Sequence, residues 1–358
     1  RSNTTGGCNT GIGDEALEFN TTGVRNTAVG RTALYSNTSG VDNTAVGLYS
    51  LGLNTTGNKN SAFGKAALYS NTTGSENVGL GRDAMYSSTT GSYNTASGVY
   101  ALFHNTTASY NTAMGRTAMY ENTTGACNSA FGFSALRCNT TGARNTASGY
   151  RALYCATTAS YNQAFGFCAG HNTTTGAGNS SFGYTALIKN TTGYLNTALG
   201  NEVLACNTTG YGNTGSGYRS LNNNTTGNRN TAVGFRSASN NTSGIWNTAI
   251  GSCSLYNNSS GSYNAVTGYR SLFNNTSGCE NTASGLYAGF GITTGGCNVA
   301  IGARSLECNQ TNNQNVALGY QSLKNNLSYG MTAAGGNSLY ANTTGTCSVA
   351  FGEAALFK

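Results

Sequence analysis

The chain contains no proline in 358 residues. Proline removes a backbone donor and is excluded from central strands. Its complete absence points to a fold in which almost every N–H is committed to a ladder. Charge is also scarce. Asp, Glu, Lys and Arg make up 8% of the residues, and a net charge of +7 is spread thinly over the chain. Arg25, Lys59, Arg144 and Arg229 alternate with acids or tyrosines rather than forming a dense patch, so nucleic-acid binding is not indicated. No run of eighteen apolar residues occurs, and no membrane insertion is expected. Only His104 and His171 offer neutral-pH bases, and neither recurs in a constellation with Ser, Cys or a carboxylate. Asp14 and Glu15 are adjacent in sequence, so on a strand they would face opposite ways. The glycine-rich turns lack the lysine and the strand–helix context of a phosphate loop, and no Asp column of a calcium-binding β-roll is present. These absences nominate no catalytic residue, no cofactor site and no metal site. The expectation is a non-enzymatic protein.

What is present is a period. A glycine recurs every seventeen residues, at Gly13, Gly30, Gly47, Gly64, Gly81 and on to Gly319, then after one deleted residue at Gly335 and Gly352. Around each sits the same unit, clearest as Asn26-Thr27-Ala28-Val29-Gly30, two variable residues, Ala33-Leu34-Tyr35, then Asn37-Thr38-Ser39-Gly40. A period that spans a chain means one coil of structure per repeat, stacked on its neighbours. The predicted fold is all-β: an elongated parallel β-solenoid or β-roll of about 21 coils, with residues 1–358 forming a single continuous repeat domain and the deletion lying near 326–331. Asn, Thr, Ser and Gly dominate, as in many disordered chains, but a disordered chain does not hold Ala and Leu in strict phase.

Each unit is numbered here from its first Asn. Positions two to four, Thr-Ala-Val, read as a short alternating strand. Position three is almost always Ala or Gly, position four is larger (Val29, Phe63, Leu80, Met114), and position nine is nearly always Leu or Met. Apolar columns on both sides of the strand predict a second contact surface, and hence self-association. In-register stacking brings like side chains about 4.8 Å apart, where Asn and Thr ladders satisfy one another. Position seventeen reads Arg25, Asp42, Lys59, Glu76, an alternation of sign that suits parallel stacking.

Seventeen turn asparagines sit in Asn-x-Ser/Thr: Asn3, Asn20, Asn37, Asn54, Asn71, Asn105, Asn122, Asn139, Asn190, Asn207, Asn224, Asn241, Asn258, Asn275, Asn309, Asn326 and Asn342. Read as acceptors, they would line one exposed edge with covalent glycans, and an aromatic two residues earlier, as in Tyr35-Ser36-Asn37, would lie against the first sugar. Asn-Thr-Thr-Gly is also a good turn on its own, so the motif carries both readings. Eleven cysteines leave at least one without an intramolecular partner. Cys138 and Cys155 occupy one position in adjacent coils, within disulfide range, and Cys279 and Cys297 lie almost one coil apart. All four equally suit free thiols acting as small apolar fillers.

The pattern Asn-Thr-Ala-Val-Gly followed by Ala-Leu resembles the head repeats of YadA-like trimeric autotransporter adhesins, and more closely the Asn-Thr-Ala-(Val/Leu/Ile)-Gly arrays of phage-type tail-fibre proteins. The resemblance covers essentially the whole chain. It implies a left-handed parallel β-roll, usually trimeric, on an extracellular or virion appendage, although the period here is longer than that of the adhesin head. The chain opens at Arg1 without methionine and is expected to be a mature protein or an excerpt. Its first and last residues are nearly in phase, so head-to-tail stacking into a filament is expected. Two functions follow. One is the structural subunit of an extracellular filament or surface appendage, N-glycosylated along one edge. The other is the shaft or head of a trimeric adhesin or phage tail fibre that binds a cell-surface or glycan receptor.

Overall fold

A computed structural model describes residues 2–357. The expected 1–358 repeat domain divides into two compact units, Arg1–Gly178 and Asn179–Lys358. The secondary structure of the described residues consists of three-residue strands and turns, without a helix. The first unit holds ten strands, from β1 (Thr10–Ile12) to β10 (Gln163–Phe165), and the second eleven, from β11 (Ser180–Phe182) to β21 (Val349–Phe351). Strands one repeat apart pair in parallel without offset. Thr27 faces Thr44, Ala28 faces Ala45 and Val29 faces Val46, and the pattern repeats in the second unit from Thr197 and Thr214 onward. The chain is a parallel β-solenoid with one coil per repeat.

Outside the strands the ladder continues through the turns. Leu34 N–H donates to Ser50 C=O at 3.0 Å, Ser36 to Gly52 at 3.0 Å and Thr38 to Thr55 at 2.9 Å. Asp42 N–H instead donates to Val24 of the preceding coil at 3.1 Å. Proline at any of these places would remove a rung, which accounts for its absence. The invariant glycine of position five has a separate cause. Gly30 has φ 133°, and a Cβ there would stand 2.6–2.7 Å from the carbonyl of Gly47 in the next coil. Three further positions per coil take the left-handed conformation, in most coils without glycine: Thr32 (54°), Leu34 (49°) and Asp42 (59°) are one such set. Each costs about 1–2 kcal/mol and persists because the surrounding ladder over-determines it.

The interior is narrow. Ala28, Ala33 and Leu34 are fully buried, and the columns they begin continue through the first unit as Leu51, Leu68, Met85, Leu102, Met119, Leu136 and Leu153. The second unit repeats them from Ala186 and Leu187. Between these apolar columns run two columns of buried asparagine. At position twelve, Asn54 Nδ2 donates to Asn37 Oδ1 of the preceding coil at 2.9 Å and to Gly57 C=O of its own coil at 3.0 Å. At position one, Asn43 Nδ2 also donates to Gly57 C=O at 2.8 Å, while its Oδ1 accepts the Asn60 backbone N–H at 2.9 Å. One carbonyl per coil, most often a glycine's, thus joins both columns. Crowding favours the glycine: a Cβ on Gly23 would lie 2.5 Å from Asn20 Oδ1 and 2.7 Å from Asn37 Nδ2, although Ala108, Ala159 and Asn312 supply the carbonyl in three coils. The deletion falls in this turn, as expected, and Asn326 Nδ2 takes Ser328 C=O at 2.6 Å instead. Register survives, with Val316 paired to Thr332.

The position-twelve column is interrupted at Ser88, at the adjacent pair Ala156 and Thr173, and at Ile292. The asparagine before each interruption carries an orphaned acceptor: Asn71, Asn139 and Asn275 Oδ1 are buried without a hydrogen-bond partner, as is Ser88 Oγ. Leaving such a group unpaired costs about 1–3 kcal/mol. Ser88→Asn supplies a donor to Asn71 and an acceptor to Asn105, so urea unfolding should show stabilisation of about 1–3 kcal/mol. Asn54→Asp removes both donors and sets a carboxylate against Asn37 Oδ1 and Gly57 C=O. The same assay should show a loss of about 3 kcal/mol or more.

Candidate functional site

The outward positions of the strands carry what the interior does not use. In the first unit, position four presents Phe63, Leu80, Met114, Phe131 and Phe165, each between 38% and 45% exposed. Beside it, position six presents Phe133, Tyr150 and Phe167, stacked on one another with centroids 5.4 and 5.1 Å apart. The second unit has the same pair of columns, with Leu199, Val233, Ile250, Ile301 and Leu318 at position four. Tyr184, Tyr218, Phe235, Tyr269, Leu286 and Tyr320 stand at position six. Period-two alternation explains the placement: Ala at position three points in, so positions two and four point out. Exposed apolar side chains gathered in columns are the kind of surface through which soluble proteins meet partners.

Position seventeen forms a polar edge. Arg25 Nε lies 2.6 Å from Asp42 Oδ1 and Lys59 Nζ 3.7 Å from Glu76 Oε1, so the alternating charges meet as their order suggests. The hydrogen bond to Arg25 holds the Asp42 carboxyl below its ordinary range. These side chains are solvated, and pairs of this kind contribute little to stability. Farther along, Tyr93 stacks on Tyr110 at 5.0 Å, and Arg229 lies 4.6 Å over the Trp246 ring.

The sequons are where the structure departs most from expectation. Fifteen of the seventeen, all but Asn3 and Asn342, are at most 1% exposed. Glycan transfer needs Nδ2 free, and in this column Nδ2 is the ladder donor, so the edge of glycans is corrected to an internal column. The exposed Asn3 (Nδ2 to Gly6 C=O, 2.9 Å) and the half-buried Asn342 (Nδ2 to Gly345 C=O, 3.0 Å) make the same turn bond. The stacked aromatic neighbours are not sugar platforms either. Tyr69, Tyr86, Phe103 and Tyr120 stack on each other at 5.2 Å per step, which covers both faces of Tyr86 and Phe103. The signal available in the sequence was phase: an Asn held at one place of most coils, three residues before a Gly, suits a column as well as a sequon.

The four cysteines nominated for disulfides are free thiols. Cys155 Sγ turns to Asn172 Oδ1 at 3.8 Å rather than to Cys138. Cys279 and Cys297 stand at positions sixteen and seventeen and point apart: Cys279 Sγ reaches Ser277 C=O at 3.4 Å and Cys297 Sγ reaches Glu280 Oε2 at 3.5 Å. His104 packs edge-on against Phe103 and Tyr120, and His171 stacks on Tyr154 with Nδ1 2.8 Å from Asn172 Oδ1. Among the described residues no group of three His, Cys, Asp or Glu side chains is placed to hold a metal ion, and no helix is long and apolar enough to cross a membrane.

Burial pushes the Cys138 and Cys155 thiols up from their ordinary range, and the thiolate is the reactive form. Iodoacetamide at pH 7.5 should therefore alkylate both roughly ten times more slowly in the native protein than in urea, as read by peptide mass spectrometry. Equal rates, or a peptide pair two hydrogens lighter, would contradict the free, shielded thiols.

No protein-family model matches the chain, and no curated protein is recognisably similar to it.

Proposed function

We propose that this chain is a non-enzymatic structural subunit of an extracellular filament or surface appendage, assembled from copies of itself. The observation that carries the reading is the pair of exposed apolar columns at positions four and six. A chain whose interior already holds its Leu and Ala columns does not need large apolar side chains outside. Their regular placement is explained by a second copy lying against them. The in-register ladder that joins coil to coil supports stacking as the second contact, because an unpaired strand edge is a template for another strand. A heterologous contact that does not close gives a filament. No glycan coat belongs to this reading, since the sequon asparagines are inside the coil.

The shaft or head of a trimeric adhesin or phage tail fibre is the second reading. The same apolar columns favour it, because three copies facing a common axis would bury them as well as a filament does. Electron cryo-microscopy of the native material separates the two: continuous fibres support the first, and discrete three-chain particles the second.

Self-association has a direct test. Wild-type protein at micromolar concentration should sediment well above its 36.7 kDa monomer mass. The double variant Met114→Glu and Phe131→Glu should sediment as a monomer with an unchanged far-ultraviolet circular dichroism spectrum. A monomeric wild type, or a variant that assembles normally, would count against the apolar face as the contact.

A further inference from the structure

Position ten of the first unit forms a column of rings. Tyr69, Tyr86, Phe103 and Tyr120 stack with centroids 5.2 Å apart at each step. Where the next coil carries Arg137, its guanidinium takes the place of a ring, with Cζ 5.2 Å from the Tyr120 centroid and 5.8 Å from that of Tyr154. The column thus accepts a planar cation as a rung between two tyrosines.

At Gly52 the column has no side chain, although Tyr35 precedes it and Tyr69 follows it. Two coils separate those tyrosines, about 9.6 Å at 4.8 Å per coil, which is room for one flat group stacked on both faces. A cavity of about 260 Å³ opens there, walled by Tyr35, Tyr49, Tyr69 and Leu53, with Glu15 and Arg31 also lining it. Tyr69 leans towards it. A Cβ on Gly52 would lie 3.0 Å from Tyr69 Cε2, and the Tyr69 ring is turned 19° from Tyr86, against 8° and 11° for the next two steps. The Arg31 charge is matched by Asp14, 3.6 Å away, while the Glu15 carboxylate is exposed. Tyrosine faces are electron-rich and attract cations and ring edges.

We propose that this slot binds a single planar aromatic group carrying positive charge, its ring between Tyr35 and Tyr69 and its charge at Glu15. Of the lining residues only Arg31 stands at position six, and none stands at position four, so the site uses none of the apolar side chains of the assembly face. Benzamidine is a suitable probe, and benzoate is its control, with the same ring and the opposite charge. In calorimetric titration of the full chain, benzamidine should bind saturably at millimolar concentration and benzoate at least tenfold more weakly. Gly52→Tyr fills the rung without needing a positive φ. It should weaken benzamidine at least tenfold while raising the unfolding temperature. Glu15→Gln, at an exposed position, should weaken it severalfold with unfolding unchanged, and so tests the site even if Gly52→Tyr does not fold. Absence of saturable benzamidine binding, undiminished binding in Glu15→Gln or a folded Gly52→Tyr, or equal binding of benzoate would overturn the proposal.

Discussion

The hydrogen bond from one asparagine carboxamide to the next, repeated coil by coil inside the solenoid, is the constraint on which the rest depends. A carboxamide is costly to bury unless both its donor and its acceptor are used. Here Nδ2 of position twelve reaches back to the preceding coil and across to a turn carbonyl, and in the interior coils Oδ1 accepts from the asparagine of the following coil. The interaction therefore selects its own repetition. It fixes the period, because a slip of one residue would leave two polar groups per coil unpaired. It also favours a glycine, because in the glycine coils a Cβ beside the shared carbonyl would crowd the carboxamides, although Ala108, Ala159 and Asn312 fill the position in three coils and their carbonyls accept the same bonds. Where the asparagine is missing from the following coil, the cost shows directly as orphaned oxygens on Asn71, Asn139 and Asn275.

With the interior so tightly specified, variation is confined to outward columns, and each column has its own chemistry. Position four is mostly apolar, and position six is mostly aromatic from Phe133 to Tyr320 after charged residues such as Arg31, Lys65, Arg82 and Arg116 in the earlier coils. The apolar stretches suit a surface that meets a copy of itself. Position seventeen alternates charge and then becomes aromatic, so that neighbours one coil apart attract rather than repel. Position ten stacks rings, admits Arg137 as a planar substitute and leaves one gap at Gly52. Such an object presents its neighbours with regular surfaces, which is the physical basis for reading it as an assembling structural element.

The fold was legible because its period is long and unbroken, and because absent proline and alternating Arg25, Asp42, Lys59 and Glu76 are direct consequences of ladder geometry. The inside and outside of the turn were not legible. Asn37-Thr38-Ser39 satisfies a sequon and a buried column equally, and polarity argued for the surface when only satisfied hydrogen bonds decide burial. The left-handed residues were hidden for a related reason. That conformation normally announces itself through Gly or Asn, whereas here it is taken by Leu34 and its column, held by packing. The cysteine pairs failed on direction rather than spacing, since sharing a column or lying one coil apart does not turn two sulfurs towards each other. The apolar outer columns were visible as such, but Tyr35, Gly52 and Tyr69 form a site only once the coils are stacked.

Hydrogen exchange of the asparagine side-chain carboxamides, followed by NMR on asparagine-labelled protein, tests the buried ladder most directly. The Nδ2 protons of Asn37, Asn54 and Asn207 should be protected as strongly as the backbone amides of Leu34, Leu51 and Leu204 beside them. Exchange at the rate of free asparagine, or a glycan on any of these three residues, would contradict it.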